Sequence, residues 1–165
     1  MKWDEIGTQT CSIARALSEV GDRWTLLVLR EAFLRTRRFA DFVERTGAAR
    51  NLVADRLQKL VDAEILERRL YQTRPPREEY RLTEKGLDFY PVIMALVRWG
   101  DRWQDDGRGA PIEHVHQGCG RVTHAVPHCS ECGEPLRPQE VRVRYGPALR
   151  GDPPTNRGDE IDRLP

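Results

Sequence analysis

A chain of 165 residues, 39% apolar and 32% charged, has the make-up of a globular protein with one domain of ordinary size and a small appendage. Its longest apolar run, Pro91 to Val97, is far short of the ~20 residues a spanning helix needs, and no apolar stretch follows Met1-Lys2-Trp3 to form a secretory signal, so a cytoplasmic protein is expected. The formal net charge of +1 hides an uneven distribution: Arg35 to Arg77 carries eleven Lys/Arg against six Asp/Glu, and Glu84 to Asp106 three against five. A basic middle beside an acidic segment suggests a face built for a polyanion, with a plain solvated surface as the alternative.

Taken in chain order, Ile13, Ala16, Leu17 and Val20 recur at helical spacing, and Gly21-Asp22 ends that helix. Trp24, Leu27, Val28 and Phe33 give a second helix. Phe39, Phe42 and Val43 give a short third, stopped at Gly47. Leu52, Val53, Leu57, Leu60 and Val61 predict a fourth over 49–63, with Arg50, Asn51, Asp55, Arg56, Gln58 and Lys59 mostly on its other sides. Ile65 to Tyr71 has strand-forming residues, and Glu79-Tyr80-Arg81-Leu82 reads as the returning strand. The segment between, Gln72-Thr73-Arg74-Pro75-Pro76, is expected to turn, because prolines do not belong inside a ladder. Thr83 caps a further helix whose apolar face holds Leu87, Tyr90, Met94, Val97 and Trp103, and Pro91 should kink or split it.

A short helix, a glycine-containing turn and a basic helix make a helix-turn-helix, whose second helix fits the major groove. Arg50, Asn51 and Arg56 are the base-reading candidates: Arg pairs bidentately with guanine and Asn with adenine. Lys59 and Arg45 are expected at phosphates, which position without specifying. Arg38 and the hairpin arginines Arg68, Arg69, Arg74 and Arg77 complete the expected DNA surface, the hairpin entering a minor groove or clamping the backbone. For Arg56 the competing role is an ion pair with Asp55 or Asp62.

These residues resemble a known family. Cys11-Ser12-Ile13-Ala14-Arg15-Ala16-Leu17 with Gly21-Asp22-Arg23-Trp24-Thr25-Leu26-Leu27-Val28-Leu29 is similar to the opening of HxlR-type regulators of the MarR superfamily. Phe39-Ala40-Asp41-Phe42, Asn51 to Leu57, Glu79 to Gly86 and Trp99-Gly100-Asp101-Arg102-Trp103 continue the resemblance over about 11–103. It implies a homodimer joined mostly through its terminal helices, with two recognition helices on a near-palindromic operator. Glu64 departs from the pattern, which usually places glycine between recognition helix and wing. In several family members a cysteine at the position of Cys11 senses oxidants or electrophiles. A helix start beside Arg15 favours a thiolate there, and an inert small buried hydrophobe is the alternative.

Three of the four cysteines and all four histidines fall within 112–146. His116-Gln117-Gly118-Cys119-Gly120 and Cys129-Ser130-Glu131-Cys132-Gly133 are an H-x-x-C and a C-x-x-C, each followed by glycine. Two such knuckles can bring nitrogen and sulfur to a structural Zn²⁺ at His116, Cys119, Cys129 and Cys132. His114, His124 and His128 compete for the histidine place. A C-x-x-C disulfide and a site that has lost its metal remain the alternatives.

The expected fold is mainly α with a small β-wing, a winged helix-turn-helix over 1–106, then a linker at 107–112, a zinc-ribbon-like β module at 113–146 and a disordered tail at 147–165. The expected function is a sequence-specific, homodimeric transcriptional regulator of double-stranded DNA, responsive to a redox or small-molecule signal. The alternative is a zinc-dependent protein-interaction module or a redox protein using the C-x-x-C. Nothing resembles a nucleophile–base constellation or a glycine-rich phosphate loop, so an enzyme is not expected.

Overall fold

The computed structural model describes residues 3–149, so most of the expected tail, from 150 onward, lies outside the described residues. The chain divides into two compact units, Met1–Glu113 and His114–Pro165, each taken by itself below.

The first unit begins with a 3₁₀ turn at Trp3–Thr8 and helix α1 at Ser12–Val20, which ends where the Gly21 amide bonds the Leu17 carbonyl at 2.8 Å. Asp22 then caps α2 (Arg23–Phe33), its carboxylate accepting from the Trp24 and Thr25 amides at 3.0 and 3.1 Å. Helix α3 (Phe39–Thr46) stops at Gly47, whose φ of +66° is the left-handed cap that glycine adopts without strain. Helix α4 (Arg50–Asp62) follows three residues later.

Strands β1 (Leu66–Thr73) and β2 (Pro76–Leu82) pair antiparallel from Leu66↔Leu82 out to Thr73↔Pro76, with a register shift between Leu70 and Gln72. The hairpin is longer than the prolines suggest. The turn is only Arg74-Pro75, because Pro76 is the first residue of its strand, a place where a missing N–H is tolerated. The Tyr80 amide also bonds the Arg37 carbonyl at 2.8 Å, which fastens β2 to the segment before α3.

Pro91 splits the last helical stretch in two. Helix α5 (Glu84–Asp88) is capped by Thr83, and α6 (Tyr90–Trp103) carries Pro91 in its first turn, where its missing N–H has no helical partner to lose. Glu64 takes the place usually given to glycine with glycine's backbone. Its φ is +55°, its amide bonds Val61 and its carbonyl accepts from Thr83 Oγ1 at 2.6 Å.

One core joins these elements: Val20, Val28, Leu29, Phe42, Val53, Leu57, Leu60, Ile65, Leu66 and Ile93. Burying each large side chain contributes roughly 1.5–3 kcal/mol. Phe42 meets Tyr80 edge-on at 6.1 Å and so seats the hairpin on α3. A second apolar set faces outward: Ile13 and Leu17 on α1, Leu87 on α5, and Leu96, Trp99 and Trp103 on α6, with Trp99 58% and Trp103 62% exposed. The periodic stripes of α1 and α6 therefore divide between two sides. Ala14, Val20, Ile93 and Met94 face the core, and the larger aromatic residues of α6 do not.

The second unit holds a small hairpin, β3 (His114–His116) with β4 (Arg121–Thr123), and an isolated bridge from His128 to Pro135. Among its described residues no side chain is buried; Val115 and Val122 are more than half exposed. Among the described residues no helix is long and apolar enough to cross a membrane.

Candidate nucleic-acid interface

Helix α4 has two faces with different jobs. Val53, Leu57 and Leu60 point into the core, while Arg50, Asn51, Ala54, Asp55 and Gln58 form a continuous exposed face. The α3–Gly47–α4 turn fixes that face outward, because Phe42 and Leu57 must both reach the core.

Aromatic rings hold several of the expected arginines in place. The Arg50 guanidinium lies 4.9 Å from the Phe39 ring, Arg38 lies 4.9 Å from Tyr71, and Arg68 lies 5.8 Å from Tyr80. Such stacking orders the charge and leaves its edge donors available. Arg68 also hydrogen-bonds Gln58 and lies near Glu78, and Arg69 pairs with Glu67 at 2.6 Å. The ion pairs described along the hairpin involve Arg68, Arg69 and Arg81, not Arg74 or Arg77, which stand exposed at its tip. Arg45 is exposed near the end of α3.

Arg56 and Lys59 are placed differently. Arg56 Nε donates to Asp22 Oδ1 at 2.8 Å and a second nitrogen pairs with Asp55, with 23% of the side chain exposed. Burial works against the Asp22 carboxylate, but the Thr25 amide, the Arg56 guanidinium and the Trp24 amide outweigh it and hold the carboxyl below its usual range. Lys59 Nζ donates to the Ser18 carbonyl at 3.0 Å. Arg56 thus ties α4 to the cap of α2, and Lys59 ties it to α1. The Asp55 pairing was visible in local spacing; Asp22, 34 residues away, was not.

Gln58, which the sequence places on the outer side of α4 but which is not among the expected DNA contacts, joins this candidate surface. It sits on the exposed face, donates to Asp62 at 2.6 Å and accepts from Arg68, so it connects α4 to the wing. The complement of the Val53–Leu57–Leu60 stripe was the available signal.

Cys11 is exposed at the extended N-cap position of α1, and the Arg15 side chain turns to Ser12 Oγ at 3.3 Å. In the second unit Cys119, Cys129 and Cys132 are unbridged thiols. His116 Nδ1 lies 3.4 Å from Cys119 Sγ. Hydrogen bonds from the Cys132 and Glu131 amides and from the Cys132 thiol lower the Cys129 thiol. His128 Nδ1 lies 2.8 Å from the Gly133 carbonyl oxygen. Among the described residues no three His, Cys, Asp or Glu side chains meet as a ready-made metal cage.

Comparison with known proteins bears on this arrangement. Residues 19–108 match the family model described as HxlR-like helix-turn-helix. An uncharacterized HTH-type transcriptional regulator of Mycobacterium tuberculosis is 41% identical over 141 residues, 84% of this chain and 88% of the relative. That share is longer than the first unit, so the similarity runs into the second. The solved structure of a candidate transcription factor superposes with a TM-score of 0.77 at 28% identity, covering 85% of this chain and 98% of its own. The redox regulator HypR in its oxidized form superposes with a TM-score of 0.54 at 25% identity, covering 58% of this chain and 99% of its own.

Proposed function

Because the chain belongs to the HxlR-like helix-turn-helix family, whose relatives are transcription regulators and not enzymes, we propose that it acts in the cytoplasm as a homodimer that binds a near-palindromic operator in double-stranded DNA and answers a redox or small-molecule signal. The observation that carries this reading is the exposed side of α4 with Arg50, Asn51 and Gln58, tied to the hairpin by the Gln58–Arg68 hydrogen bond, together with exposed Arg74 and Arg77 at the hairpin tip. In the groove-reading geometry of this motif, the first turn of α4 brings Arg50 and Asn51 to base edges. Arg38, Arg45 and Arg69 flank them, and Arg74 and Arg77 reach phosphate or the neighbouring minor groove. Arg56 and Lys59 serve this surface by holding α4 in place.

The outward apolar set on α1 and α6 supports the dimer, since a second copy would cover Ile13, Leu17, Leu96, Trp99 and Trp103. Two-fold pairing would set the half-sites about one helical turn, ~34–36 Å, apart. Exposed Cys11 begins that same α1, which makes it the point where an oxidant or electrophile would act on the dimer. Selection from a random duplex pool with the full chain tests the proposal. An enriched inverted repeat, bound with an affinity that falls steeply with salt, is expected. Enrichment of no sequence, or binding indifferent to salt, would overturn it.

A further inference from the structure

We propose that the second unit is organised by one structural Zn²⁺ held by His116, Cys119, Cys129 and Cys132, a site independent of the DNA-binding reading. The same backbone turn occurs twice. Gly120 N–H bonds the His116 carbonyl at 2.8 Å, and Gly133 N–H bonds the Cys129 carbonyl at 2.9 Å. Both glycines have left-handed φ, +69° and +77°, which lets the chain fold back beneath the pair it follows. Each turn presents its first and fourth side chains together.

The spacing within the first turn suits the metal. Zinc bonds of ~2.3 Å to sulfur and ~2.0–2.1 Å to nitrogen at a tetrahedral angle place the two donor atoms ~3.6 Å apart. His116 Nδ1 and Cys119 Sγ stand 3.4 Å apart. The second turn repeats the first, with Cys129 and Cys132 at its first and fourth positions and the Gly133 N–H closing it on the Cys129 carbonyl. Among the described residues the two turns are not drawn together, since no three ligand-type side chains meet; the ion must join them on binding.

The rest of the unit shows why an ion is needed. None of the described side chains from 114 to 149 is buried, and Val115, Val122, Val126, Leu136 and Val141 all remain exposed. Apolar burial therefore cannot offset the entropy of ordering this stretch. Zinc binding can, since for a site with no preformed core the binding free energy is folding free energy. On binding, each of the three thiols gives its proton to solvent, and His116 binds through the neutral ring's lone pair. Four protein ligands leave no open position, so the ion is structural and not catalytic. The histidine is His116, which among the described residues is the one seen against a cysteine of the set; His128 is turned to the Gly133 carbonyl.

The test uses the full-length chain purified without a histidine tag. Elemental analysis should find one zinc per chain, and Co²⁺ reconstitution should give the tetrahedral bands with thiolate charge transfer. Cys119→Ser and Cys129→Ser should abolish stoichiometric binding, His116→Ala should weaken it at least about tenfold, and His128→Ala should retain it. Chelation should accelerate amide exchange throughout 114–149 and leave 23–62 unchanged. A chain that binds no stoichiometric zinc overturns the proposal. So does metal retained in both His116→Ala and Cys119→Ser, or exchange in 114–149 that ignores the chelator.

Discussion

Asp22 performs two tasks with one carboxylate, and a mutational cycle can separate them. It caps α2 through the Trp24 and Thr25 amides and pairs with Arg56 of α4 at 2.8 Å. Losing an N-cap costs about 1 kcal/mol, within a range of ~0.5–2. The ion pair is 32% exposed on the Asp22 side and 23% on the Arg56 side, so solvent screens it, and it is worth ~0.2–1 kcal/mol. Asp22→Ala should therefore lower unfolding stability by roughly 0.7–3 kcal/mol. Asp22→Asn, which keeps a capping oxygen, should lose only the ion-pair part. Urea denaturation of wild type, Asp22→Asn, Arg56→Ala and the double variant gives the coupling directly, and ~0.2–1 kcal/mol is expected. The pH dependence has a definite sign. The folded carboxyl lies below its ordinary value of 3.8, so its stabilisation is complete above that value and lost as pH falls through the depressed one. Asp22→Asn should flatten that acid limb. Strict additivity in the cycle, with an acid limb identical to wild type, would refute the linkage. Operator binding then distinguishes the roles of Arg56: a brace lost in Arg56→Ala weakens all sequences alike, whereas a base reader relaxes specificity.

Three further outcomes are expected. Glu64→Gly should raise the urea midpoint, because a side chain in the left-handed region costs ~1–2 kcal/mol and glycine's extra chain entropy returns only ~0.5–1; a lowered midpoint contradicts this. Arg74→Ala and Arg77→Ala should each weaken binding to all duplexes and reduce the salt slope by about 1, and an unchanged slope would remove the wing tip from the interface. Trp99→Asp should leave a monomer at micromolar concentration by light scattering, since it places a charge where an apolar side chain worth ~1.5–3 kcal/mol would be covered; an undisturbed dimer would place the interface elsewhere.

The parts of this molecule legible in the sequence are those governed by neighbours along the chain. Gly47 ends α3, the Val53–Leu57–Leu60 period marks the inner face of α4, and Pro91 divides the last helix, each through a local steric or periodic rule. The hairpin's length was less legible, because proline at the first residue of a strand obeys the rule that seemed to exclude it. Periodicity located the apolar stripes of α1 and α6 but could not say which residues face the core, since a stripe covered by a partner and one covered by the same chain have the same pattern. The roles of Arg56 and Lys59 were least accessible. Their partners, Asp22 and the Ser18 carbonyl, come from distant residues that only the folded packing of α1, α2 and α4 brings near.

Those two ties have a mechanical consequence. Lys59 bonds the last turn of α1 and Arg56 the residue before α2, so α4 is linked on that side to both neighbours. Through these ties a rotation of α1 would carry α4 with it, as a lever. In the proposed dimer the two levers pivot against each other where their outward apolar residues meet. A rotation of ~10° acting over the ~17 Å from the pivot to one half-site carries a reading helix past its base pairs by ~3 Å, the length of a hydrogen bond. A small adjustment at the pivot is thus enough to take Arg50 and Asn51 out of register with the DNA, without either residue or its helix changing shape.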